Sequence, residues 1–68
     1  MGPSEKALKR AIVAAGGLEK IAGPLKITKQ AVSQWPQVPS LRVLAVERIS
    51  GVSRHELRPD LYPLEPVN

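Results

Sequence analysis

"LEKIAGPLKITKQAVSQW", residues 18–35, is the stretch that decides the fold. Its apolar residues fall at Ile21, Ala22, Leu25, Ile27, Val32 and Trp35, the arrangement of two short helices packed at a steep angle. The first begins near Leu18. Thr28 is placed to cap the second, which runs from about Lys29 to Trp35 and is closed by Pro36. Ala22 is small where the first helix crosses the start of the second, Leu25 and Ile27 bracket the turn, and Val32 and Trp35 face the core. At about 100° per residue, Lys29, Gln30, Ser33 and Gln34 cluster on the opposite side of the second helix, with no acid among them.

That polar row has the chemistry to meet nucleic acid. Gln forms two hydrogen bonds to adenine in the major groove, Lys reaches guanine O6 and N7, and Ser bonds either a base or the backbone. Thr28 stands at the amino end of the helix, where its hydroxyl meets a phosphate and the helix terminus adds positive potential. The charge of the chain agrees with this reading. Residues 1–37 carry six Lys or Arg against two acids, and residues 38–68 carry four against four, so the whole net excess of +4 lies in the amino-terminal half. Asymmetry of this kind points to a polyanion, although surface lysines also serve solubility alone.

The flanking sequence supplies further helices. Ser4 is placed to cap a first helix over 5–15, with Leu8, Ala11, Ile12 and Ala15 on one stripe and Gly16–Gly17 ending it. After the turn "PQVPS", Pro39 suits the first turn of a helix over 39–50 whose stripe is Leu41, Leu44, Ala45, Arg48 and Ile49, stopped by Gly51. Ser53 and Glu56 have capping-box spacing for a fifth helix over 54–58, halted by Pro59. The tail 59–68 is too rich in Pro to continue as helix, and Leu61, Tyr62 and Leu64 give it apolar side chains to dock. No stretch alternates long enough for a strand. The expectation is an all-α single domain over 1–68 with five short helices, its two-helix motif at about 18–37.

Size and composition exclude other classes. A chain of 68 residues buries only about 60% of its unfolded surface. It has no Cys for disulfides, and His55 alone makes no metal site, so no cofactor is expected. An enzyme is not expected either: there is no Cys nucleophile, no phosphate-cradling Gly loop and no paired carboxylates at convincing spacing. His55 reads as a surface residue. Arg54 and Arg58 form an i, i+4 pair that either extends the basic footprint or is simply solvated. No apolar run approaches the roughly 20 residues of a membrane span, and no signal-peptide core opens the chain, so a cytoplasmic protein is the expectation.

"AVSQW" behind a threonine-capped turn, with Ala22 in the preceding helix, resembles the helix-turn-helix of Cro-type phage repressors. "GG" at 16–17, "VP" at 38–39 and "VLAVERISGVSRHELRPDLYP" over 43–63 are similar to short prophage-encoded Cro-like regulators also classed as YdaS-type antitoxins. The resemblance covers roughly residues 5–63. It implies a lambda-repressor-like domain that binds double-stranded operator DNA, commonly as a homodimer, and represses transcription. It assigns base reading to Lys29, Gln30, Ser33 and Gln34, and phosphate contacts to Thr28 and nearby basic residues such as Lys26. It also leaves open an antitoxin whose partner is a toxin protein. Leu61 and Tyr62 are the expected apolar contacts of a dimer.

The sequence departs from that family pattern twice. Lys26 replaces the usual Gly at the turn between the two helices, where a left-handed backbone costs a non-Gly residue roughly 1 kcal/mol. Gly23–Pro24 falls inside the preceding helix, where Pro costs about 3 kcal/mol, so that helix is expected to be short or kinked near Gly23.

Overall fold

Most helix boundaries in this chain have a backbone cause that can be named. The computed structural model describes residues 3–63, and Leu64, the last of the expected docking residues, lies outside them. Among the described residues there are five α-helices and no strand: α1 (Pro3–Ala15), α2 (Leu18–Leu25), α3 (Lys29–Ser33), α4 (Val43–Ser50) and α5 (Arg54–Leu57). A 3₁₀ turn at Ser40–Arg42 leads into α4.

α1 starts at Pro3, ahead of the expected cap, so Ser4 lies inside its first turn. Proline suits such a position because its φ is already helical and its missing N–H has no partner to lose. At the other end Gly16 takes φ 101°, and Gly17 donates to the Ile12 carbonyl at 2.8 Å. That reversal turns the chain directly into α2.

Ala7, Leu8 and Ala11 of α1, Ile21 and Ala22 of α2, Val32 of α3, Val43 and Val46 of α4, and Leu57 of α5 form one buried cluster with Val38 and Val52. α1 lies against α2, α4 and α5, and α2 lies against α3 and α4. Eight of the eleven are Ala or Val, compact side chains that let short helices pack densely around one core.

The stripe expected on the fourth helix holds only in part: Ile49 packs against the core and Ala45 is half-buried, but Leu41, Leu44 and Arg48 are exposed. Val43 and Val46 are fully buried, whereas Leu41 is 94% and Leu44 46% exposed. Leu41 belongs to the 3₁₀ turn, which advances about 120° per residue rather than 100° and so changes the phase of everything after it. Pro39 stands just before that turn instead of inside a continuous helix over 39–50.

The fifth helix keeps half of its expected cap. Ser53 Oγ accepts from the His55 N–H at 3.0 Å, but the Glu56 carboxylate pairs with Arg10 of α1 instead of closing a capping box. His55 is half-buried, not a free surface residue. Its Nδ1 lies 2.9 Å from the Tyr62 carbonyl oxygen, which only accepts, so Nδ1 carries the proton. Arg54 and Arg58 are likewise engaged within the fold. Arg54 pairs with Glu47 at 3.3 Å and lies over the Tyr62 ring, 5.8 Å from its centroid, while Arg58 binds Asp60 through two hydrogen bonds.

Candidate nucleic-acid interface

The site is built on α2, the turn after it, and α3. α2 is a single eight-residue helix with Gly23 and Pro24 inside it, short as expected. Both residues are exposed. Pro24 removes only the N–H link back to Lys20, and the helix ends one residue later, leaving little of it to lose.

Lys26 then adopts φ 60° and ψ 41°, the left-handed conformation expected at this turn. Its N–H donates to the Gly23 carbonyl at 3.0 Å, and the Ile27 N–H donates to the Ala22 carbonyl at 3.1 Å. These crossed bonds satisfy the last carbonyls of α2 and return the chain toward α3. They leave the Lys26 side chain exposed on the outside of the turn.

Thr28 caps α3 as its sequence position implies. Its Oγ1 accepts from the Ala31 N–H at 3.1 Å, which leaves the hydroxyl proton available to donate outward. α3 ends at Ser33, short of the expected Trp35, with Gln34 as its carboxy-terminal cap still in helical dihedrals. Pro36 explains the shortening, because the residue before a proline is pushed out of the helical region.

The two faces separate as the periodicity implies. Val32 is fully buried, Trp35 is half-buried against the core, and Lys29, Gln30, Ser33 and Gln34 are all exposed. With Thr28 and Lys26 also exposed, every residue expected at the site lies at the surface of one turn-and-helix segment.

One neighbour was not foreseen. Glu19, in the first turn of α2, brings its Oε2 to 3.6 Å from Lys29 Nζ, so the polar row does have an acid beside it. Ten positions separate the two residues, and only the reversal of the chain between α2 and α3 brings them together. No periodicity within a single helix carries that signal. Lys20 and Lys26 form no ion pair among the described residues and leave the surroundings of α3 positively charged.

No helix among the described residues is long and apolar enough to cross a membrane. No curated protein and no solved structure gives a significant match to the chain. The family model described as bacterial toxin YdaS matches residues 8–66, which spans all of α2 to α5 and most of α1. The chain belongs to the YdaS family.

Proposed function

We propose that this chain is a sequence-specific DNA-binding transcriptional regulator of the Cro-like helix-turn-helix type, with α2 and α3 as the motif. The observation that carries the reading is the exposed row Lys29, Gln30, Ser33 and Gln34 on a helix anchored from beneath by fully buried Val32. α3 enters the major groove, where the two glutamines and Lys29 offer the donors and acceptors that distinguish base pairs. Thr28 and Lys26 flank it for phosphate contacts, which set register without reading sequence. A homodimer places two such helices about 34 Å apart on a pseudo-palindromic operator, and occlusion of the promoter is the mode of repression.

The test is selection of duplexes from a randomised library followed by mobility-shift titration of the selected and random sequences. Selective binding that is lost in Gln30→Ala and Gln34→Ala supports the reading. Equal, weak binding to every duplex, unchanged by those substitutions, overturns it.

The description of the family as a bacterial toxin favours a second reading, in which the chain acts within a toxin–antitoxin pair. As the antitoxin it binds a toxin protein and autoregulates its own operon. As the toxin it arrests growth itself. Arrest on induction that persists in the Gln30→Ala, Gln34→Ala double variant separates such an activity from DNA reading.

A further inference from the structure

From the pairing of Glu19 with Lys29 we infer that Glu19 sets the specificity of the α3 surface by restraining Lys29 from sequence-independent phosphate contacts. The inference rests on the DNA-reading role proposed above. It begins from a contrast among the lysines. Lys6, Lys9, Lys20 and Lys26 have no carboxylate within ion-pair distance among the described residues, whereas Lys29, the one cation in the exposed row of α3, has Glu19 at 3.6 Å. Both side chains are largely solvent-exposed, Lys29 at 60% and Glu19 at 80%. Neither is required by the core, so the pair has no packing role.

A lysine ammonium is a flexible point charge with three donors. Left free at the start of α3, it would attach to the nearest phosphate on any duplex and raise affinity for all sequences equally. Held by Glu19, it contributes almost no net charge to that attraction. Lys29 leaves the carboxylate at a cost, and a guanine compensates by presenting O6 and N7 together as two acceptors. The pair therefore taxes binding to every sequence and returns the tax only where the base is right. Lys20 and Lys26 remain free to supply general attraction.

The experiment is a fluorescence-anisotropy titration of the full chain against one selected and one random duplex, between 50 and 200 mM salt. Glu19→Gln, Lys29→Ala, the double variant and Glu19→Asp are compared with wild type. Glu19→Gln is expected to tighten binding to the random duplex and to steepen its log-affinity against log-salt slope by about 0.9, which deepens the loss over that salt range about threefold. The ratio of selected to random affinity falls correspondingly. Glu19→Asp, which keeps the charge, retains the wild-type slope, and in the Lys29→Ala background the Glu19→Gln effect shrinks to less than half.

An unchanged slope and ratio in Glu19→Gln, beside selective binding by wild type, overturns the role of the pair and leaves the DNA reading standing. So does an effect of the same size without Lys29, since that is plain repulsion of Glu19 by the duplex. Equal binding of both duplexes by wild type overturns the DNA reading and this inference together.

Discussion

The guanidinium of Arg58 donates through Nη1 to the backbone carbonyl of Val38, 2.9 Å away, joining the segment after α5 to the loop that follows α3. Val38 is fully buried and Arg58 keeps only 12% of its side chain exposed. The remaining donors, Nε and Nη2, bind the two oxygens of Asp60 at 3.0 and 2.8 Å. The planar fork thus holds two chain segments at once.

Removal of that fork leaves a buried acceptor without its partner. Arg58→Ala is expected to lower stability by about 1–3 kcal/mol, the cost of an unsatisfied buried group. Arg58→Lys is expected to recover little, because an ammonium cannot span Asp60 and the Val38 carbonyl with the same geometry. Urea titration followed by circular dichroism checks both.

Acid weakens the same half of the molecule. The Arg54 N–H donating to Glu47, aided by the Arg54 charge, holds the Glu47 carboxyl below its ordinary 4.5. Hydrogen bonds from Arg58 hold Asp60 below its ordinary 3.8. A carboxylate lowered on folding stabilises fully above its unfolded value and loses that contribution as pH falls through the folded one, because the unfolded chain takes up the proton first. The melting temperature is expected to hold near neutrality and to decline below about pH 5. Glu47→Gln and Asp60→Asn, less stable at neutral pH, are expected to show a shallower decline.

Lys26 sits at φ 60° with a side chain that disfavours it. Lys26→Gly is expected to stabilise the fold by up to about 1 kcal/mol, since relief of the left-handed strain exceeds the added freedom of the unfolded chain. Lys26→Val, β-branched at a positive φ, is expected to destabilise. Thermal melts of the two variants decide the sign, and an unchanged midpoint in both would refute the strain at this turn.

Burial ranks the apolar residues sharply. Ile21→Ala opens a cavity in the fully buried cluster and is expected to cost about 2–5 kcal/mol. A domain of this size holds roughly 3–10 kcal/mol in total, so Ile21→Ala brings it near unfolding at room temperature. Leu41→Ala, at a residue 94% exposed, is expected to change stability by less than about 0.5 kcal/mol. Paired denaturation curves test the contrast, and a large loss at Leu41 would show that its face is covered in solution.

The residues between Ile21 and Trp35 declare their structure because each signal is local. Ile21, Ala22 and Val32 are spaced for one buried face, Thr28 sits where a helix must be capped, and Pro36 stops what it follows. In the fourth helix "LRVLAVERI" carries two interleaved apolar sets at the same spacing, so periodicity alone does not say that Val43 and Val46, rather than Leu41 and Leu44, face inward. Choosing the leucines over the valines follows hydrophobicity, but the 3₁₀ turn and the close approach of α1 and α2 select the smaller side chains. The pairs Lys29–Glu19, Arg58–Val38 and Arg10–Glu56 have no local signature, since each exists only after distant segments have met. The polar row on α3 was legible for that reason, and the acid beside it was not.

The contact of α1 with α5 has a consequence during synthesis. Leu57 completes a core that Leu8 and Ala11 begin, and it leaves the ribosome long after them. Until Leu57 has emerged, α1 and α4, the two helices that α5 contacts, lack the last side chain of their shared core. The core therefore closes late in synthesis, and a chain cut short before Leu57 is expected to leave α1 and α4 without their last common contact.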